Sequence, residues 1–121
     1  MASITFDVHV NTDGLEDIFN NLINDEQTML AVHTLFAKTI DPWVPYLNGP
    51  LSETVQIEPN LIRYVQPYAR YQYYGVDFNH TKDFHPLASA MWDKAAMEVK
   101  RDEFVAGVRD ILVRRAKELY G

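Results

Sequence analysis

The chain of 121 residues predicts an α+β fold. The sheet is small and antiparallel, built from an N-terminal strand plus a hairpin. It is packed by an N-terminal helical pair and by C-terminal helices. Three observations predict this. Residues 3–10 alternate apolar and polar with a period of two. Two short strand-like runs, residues 51–57 and 61–65, flank the turn-forming Glu58-Pro59-Asn60. Residues 15–40 and 86–119 carry apolar side chains at helical spacing.

The first strand has Ile4, Phe6, Val8 and Val10 on one face and Ser3, Thr5, Asp7 and His9 on the other, the pattern of a half-buried strand. Asn11-Thr12-Asp13-Gly14 reads as a turn, and Asp13 with Glu16 has the form of a helix start. Leu15, Ile18, Phe19 and Leu22 follow at helical spacing. Asn24 with Gln27 marks a second start, and Met29, Val32, Phe36 and Ile40 form a longer stripe. That stripe should stop at Asp41-Pro42, because a residue before proline is pushed out of the α region. Residues 41–50 hold Pro42, Pro45, Asn48, Gly49 and Pro50, which predict an ordered, extended loop. A lone hairpin is marginal in water, so the two runs that follow must pair with the first strand or lie under a helix. Residues 67–75 predict one or two helical turns, residues 76–85 a polar loop, and Pro86 the first residue of a helix. Ala88, Trp92, Ala95 and Val99 make one stripe and Phe104, Val108, Ile111 and Leu119 another. The five-residue step from Val99 to Phe104 breaks the phase and predicts a bend or break near Lys100-Arg101-Asp102.

Length favours one domain, residues 1–121. Hydrophobic residues at 47% and charged residues at 23% exclude a disordered chain. Cysteine is absent, which excludes disulfides, thiolate zinc sites and cysteine nucleophiles together. The start Met1-Ala2-Ser3-Ile4 lacks the basic and apolar regions of a signal peptide. No run approaches the ~18 apolar residues of a membrane span. The expectation is synthesis in a reducing cytoplasm without membrane contact. Residues 1–60 carry nine acids and one base, a net of −8, whereas residues 61–121 carry eight acids and ten bases, a net of +2. The total of −6 opposes wrapping of nucleic acid. Two halves of different sign suit head-to-tail self-association.

The densest feature is aromatic. Tyr64, Tyr68, Tyr71, Tyr73 and Tyr74 are five of the seven tyrosines, accompanied by Arg63 and Arg70 with no acid from Pro59 to Val76. Tyrosine and arginine bury large areas while keeping a polar tip, and both are enriched at protein–protein hot spots. Packing of some rings beneath the C-terminal helix is a second reading. Stacking on single-stranded bases is a third, and the acidic net charge speaks against it. Helical spacing cannot place all five rings on one face, so part of the set must look outward. The candidate interface is therefore Arg63, Tyr64, Tyr68, Arg70, Tyr71, Tyr73 and Tyr74.

Other constellations are weaker. His80, Asp83 and His85 share one loop and could ligate a metal, but their spacing matches no catalytic zinc pattern. His33 beside the Met29-Val32-Phe36 stripe reads as a core or interface histidine. Arg109, Arg114, Arg115 and Lys117 make the last helix basic near its end, which the helix dipole favours. No nucleophile elbow, phosphate-binding loop or dinucleotide glycine pattern is present, so the expectation is no enzyme and no cofactor.

The segment Pro67-Tyr68-Ala69-Arg70-Tyr71-Gln72-Tyr73-Tyr74-Gly75, after Leu61-Ile62-Arg63-Tyr64-Val65, resembles tailed-phage minor capsid proteins of the head–tail joining region. So do His85-Pro86-Leu87-Ala88 with Trp92, and Val44-Pro45 with Gly49-Pro50-Leu51-Ser52. These are small neck proteins similar in fold to the tail-completion family. The likeness runs from about residue 41 to residue 121. Asn48 and Pro50 flank Gly49 where relatives commonly carry a hydroxyl residue before the glycine, and no basic residue follows Leu51. The resemblance implies a virion location at the head–tail junction after synthesis in the bacterial host. It implies a ring of identical subunits between portal and tail, with DNA passing through unread. Implied partners are copies of itself, a portal, adaptor or head-closure protein, and a tail-terminator protein. A subunit giving ~800 Å² to each of two neighbours would cover roughly a quarter of its folded surface. The alternative is a cytosolic protein–protein interaction module using the same residue 64–74 surface.

Overall fold

The computed structural model describes residues 3–44, 55–65, 69–74 and 90–121, without the side chains of residues 70–72. Strand β1 is Ile4–Phe6, β2 is Val55–Glu58 and β3 is Leu61–Tyr64. Helices are α1 (Asp17–Leu22), α2 (Glu26–Ile40), α3 (Ala69–Tyr74) and α4 (Trp92–Tyr120), with one 3-10 turn at Asp41–Trp43. The architecture is α+β, as the alternation and the hairpin signal predict.

The sheet order is β1-β3-β2, antiparallel throughout. β3 is central because the two-residue turn Pro59–Asn60 folds it back on β2, and β1 pairs with its other edge. Register places Ile4 beside Tyr64 and Phe6 beside Ile62, with Val55 and Ile57 completing the inward face. Thr5, Arg63 and Gln56 form the outward row of the same ladder. β1 is shorter than the eight alternating residues predict. β3 supplies only four residues, and past Phe6 the chain turns to α2 instead: the Val8 backbone N–H donates to His33 Nε2 at 3.0 Å.

Both N-terminal helices start later than the sequence predicts. Gly14 takes φ +83°, and Leu15 N–H donates to Thr12 C=O at 3.0 Å. Asp13 and Gly14 are therefore consumed in a turn, α1 begins after Glu16, and Leu15 points outward at 55% exposure. α2 is capped by Asp25, not Asn24: its carboxylate accepts from Thr28 N–H at 2.9 Å and Thr28 Oγ1–H at 2.6 Å. The apolar stripe of α2 buries Val32, Phe36, Ala37 and Ile40. After Ile40 the chain makes one 3-10 turn over Pro42 and buries Trp43, where an extended loop is predicted from residue 41. Residues 45–54, 66–68 and 75–89 lie outside the described residues. The expected helix start at Pro86, most of the predicted 41–50 loop and the possible metal ligands His80, Asp83 and His85 fall there.

α4 is one helix of 29 residues, with no break at residues 100–102. Its buried line is Trp92, Ala96, Phe104, Val108, Ile111 and Leu112. Steps of four place Lys100, half-buried, in the gap between Ala96 and Phe104. Val99 lies off this line, 68% exposed, so the five-residue step is not a change of phase in the packing. α2 crosses α4 closely at Gly107, where a Cβ would lie 2.7 Å from Leu35 Cδ2. Phe6, Phe36, Tyr64, Tyr73, Trp92 and Phe104 join sheet and helices in one aromatic cluster.

Candidate interaction surface

The tyrosine-rich segment divides by element geometry. Alternation along β3 sends Tyr64 inward and Arg63 to the outward row, where it is half-buried. In α3, Ala69 and Tyr73 are four residues apart and share the buried face, while Tyr74 is 57% exposed. Tyr64 and Tyr73 therefore belong to the core of the single chain, which corrects their place in the predicted interface. The reason is the sheet register and the helical period, each of which gives one of two neighbouring residues to the interior. The backbones of Arg70 and Tyr71 lie in α3, and Tyr68 lies outside the described residues.

Tyr64 is 1% exposed and meets Trp92 edge-on, with ring centroids 5.4 Å apart. Burial pushes its phenol well above the ordinary value of 10.0, with Asp41 and Asp93 adding repulsion to the ionised form. Tyr73 stands perpendicular to Trp92 at 5.0 Å and tilts against Phe6 at 5.3 Å. Its hydroxyl donates to Asp93 Oδ1 at 2.5 Å. Burial first, then the hydrogen bond to the Asp93 carboxylate, holds this phenol protonated far above 10.0. Tyr74 packs edge-on against Tyr73 with centroids 5.0 Å apart.

Besides the ring contact, two hydrogen bonds among the described residues clamp α3 to the start of α4. One is the Tyr73–Asp93 bond. The other is Met91 N–H, which donates to Tyr73 C=O at 2.8 Å while Met91 sits in the left-handed region at φ 47°. A non-glycine residue there costs about 1–3 kcal/mol, which the surrounding aromatic packing offsets. The indole N–H of Trp92 is buried and has no hydrogen-bond partner among the described residues. The outward elements Arg63 and Tyr74 are thus presented from a fixed scaffold. A rigid scaffold lowers the entropy cost of binding at such residues.

The other end of α4 holds a polar clamp that periodicity does not disclose. Arg115 donates to Asp25 Oδ2 at 2.9 Å, Thr28 Oγ1 at 3.2 Å and Glu118 Oε2 at 2.7 Å. The Thr28 side-chain hydrogen bond first, and then the Arg115 guanidinium, hold the Asp25 carboxyl below its ordinary value of 3.8. Asp25 and Thr28 have the spacing of a helix cap in the sequence, but nothing local points to a base 90 residues away. His33, read as a core or interface histidine, is 1% exposed: one ring nitrogen accepts from Val8 N–H and the other donates to Met29 C=O at 2.9 Å.

Among the described residues no group of three acidic or histidine side chains is placed to hold a metal ion, and no helix is long and apolar enough to cross a membrane. In comparison with known proteins, residues 6–108 match the model of a family described as minor capsid protein. No curated protein matches, and no solved structure does.

Proposed function

Since the chain belongs to the minor capsid protein family, and so serves as a structural component of a phage virion, we propose that it forms a ring at the head–tail junction. The ring sits between the portal side and the tail, and packaged DNA passes through it. The family match over residues 6–108 supports the structural virion role from which this reading starts. The resemblance of the segment around Tyr68, Arg70 and Tyr71 to neck proteins supports it. Arg63 and Tyr74, outward on a scaffold locked by Tyr64, Tyr73 and Trp92, serve as contacts to the next subunit, together with Tyr68, Arg70 and Tyr71. Its neighbours along the neck are a portal, adaptor or head-closure protein on one side and a tail-terminator protein on the other. Its role is structural and not catalytic.

Charge supports passage in place of binding. With a net of −6 and a half that carries −8, the chain can offer an acidic lumen that repels phosphate. Arg70→Ala, Tyr71→Ala and Tyr74→Ala should leave the circular-dichroism spectrum of the chain unchanged yet block particle assembly in complementation. Normal yields of particles from all three variants would refute this assignment of the interface. DNA binding measured in physiological salt should be undetectable, and a clear salt-dependent affinity would count against the repelling lumen. A cryo-electron map of the particle places the chain directly, and density outside the neck would end the ring reading.

A further inference from the structure

The outer face of α4 carries a pattern that the fold does not use. Val99, Ala106, Val113 and Tyr120 recur every seven residues and are all exposed, Val99 at 68% and Tyr120 at 56%. A seven-residue step drifts only about 20° around a straight helix, so the four residues form one stripe. The stripe is about 32 Å long. It lies about half a turn from Phe104, Val108 and Ile111, the residues by which α4 enters the core. Where two helices pack along a seam, such a column supplies one of the two seam positions; the other column on α4 holds Asp102, Arg109 and Ala116. Ala106, the smallest of the four, sits in the middle, where close approach of two helices is easiest.

We propose that this stripe is a self-association surface, on which the α4 of a second copy of the chain packs antiparallel with Ala106 at the crossing point. The charges in the seam choose the partner and its direction. Asp102 and Arg109 are exposed, lie between the apolar residues and flank Ala106. Antiparallel pairing sets each Asp102 against the other copy's Arg109, twice across the two-fold axis. Parallel pairing sets Asp102 on Asp102 and Arg109 on Arg109. The same antiparallel register places Val99 on Val113. A shallow hollow lined by Asp110, Val113, Arg114, Lys117 and Glu118 receives that end of the partner helix. The contact is isologous, and it closes on itself as a dimer. A ring of more than two subunits repeats heterologous contacts. The two assemblies therefore rest on different contacts, and this pairing describes the free chain whether or not the ring reading holds.

The chain has no cysteine, so engineered thiols report the geometry without background. Light scattering across rising concentration should give a mass climbing from 14.0 kDa toward twice that value, and Val113→Asp should weaken pairing by about tenfold or more while leaving circular dichroism unchanged. Under mild oxidation Ala106→Cys should cross-link to itself. Val99→Cys should cross-link to Val113→Cys in a mixture but not to itself, since its two copies lie about 20 Å apart along the antiparallel pair. Asp102→Arg or Arg109→Asp alone should weaken pairing, and the double exchange should restore it. A mass that stays at 14.0 kDa at every concentration overturns the proposal. So does self-linkage of Val99→Cys equal to its linkage with Val113→Cys, or a higher mass that Val113→Asp leaves unchanged.

Discussion

The two ends of α4 are held to the rest of the chain by opposite chemistries. At the start, Trp92 lies at 0% exposure among Phe6, Tyr64 and Tyr73, with polar tethers from the Tyr73 hydroxyl to Asp93 and from Met91 N–H to Tyr73 C=O. At the far end, Arg115 grips the cap of α2 through Asp25 and Thr28, with side chains still 16% and 32% exposed for Arg115 and Asp25. The first attachment gains chiefly from apolar area removed from water, which ionic screening does not weaken. The second gains from hydrogen bonds between charged groups that water and ions partly screen. One helix thus has an end whose hold ionic screening leaves alone and an end whose hold varies with it.

The largest expected effect is at the aromatic end. Trp92→Ala should cost about 3–5 kcal/mol, because the cluster cannot close around the space left; a urea-midpoint shift corresponding to less than 1 kcal/mol would show that the two ends are more alike than the packing indicates. Tyr73→Phe keeps the ring and removes only the bond to Asp93, so it should cost about 1–2 kcal/mol by the same measurement. At the polar end Asp25→Ala should cost about 1 kcal/mol near neutral pH, the ordinary worth of a helix cap.

The sign of the pH dependence sharpens the contrast. Asp25 is held below 3.8 in the folded chain, so the fold favours its ionised form. That stabilisation is complete above the ordinary value and is lost as pH falls through the lower folded value. The stability gap between wild type and Asp25→Ala should therefore shrink in acid and in high salt. The gap for Trp92→Ala should hold in salt. Alkali tests the aromatic end. Tyr64 and Tyr73 are raised above 10.0, so the folded chain prefers them protonated. Their contribution is present below 10.0 and fades as pH rises beyond it. In an ultraviolet titration Tyr64 and Tyr73 should stay protonated past pH 10 until the chain unfolds. Ionisation of all seven together, with the fold intact, would place those rings in water.

Much of the fold was legible because period and burial are local. Alternation at Ile4 and Phe6, the Glu58-Pro59-Asn60 connection and the stripe from Val32 to Ile40 each report which face is wet. The limits of those elements were less legible. β1 stops where its partner strand runs out, and α1 starts late because Gly14 commits its neighbours to a turn. Val99 misled for a different reason: an exposed valine beside a buried line resembles a member of that line, and only the packing distinguishes them. The candidate surface was legible in composition but not in orientation. Arg63 and Tyr64 are adjacent in sequence and face opposite ways, as Tyr73 and Tyr74 differ in exposure.

By itself the sequence determined the α+β class, the absence of thiol chemistry, the acidic character of the first half and the clustering of tyrosine with arginine. Each follows from composition or from a period of two or 3.6 residues, which the backbone imposes wherever the chain goes. Only the tertiary structure decided that Tyr64 and Tyr73 belong to the core, that Asp93 is tied to Tyr73, and that Arg115 closes the cap at Asp25. Those outcomes join residues 20 and 90 positions apart. Contacts at such separations depend on how elements pack, and no local pattern in the chain encodes them.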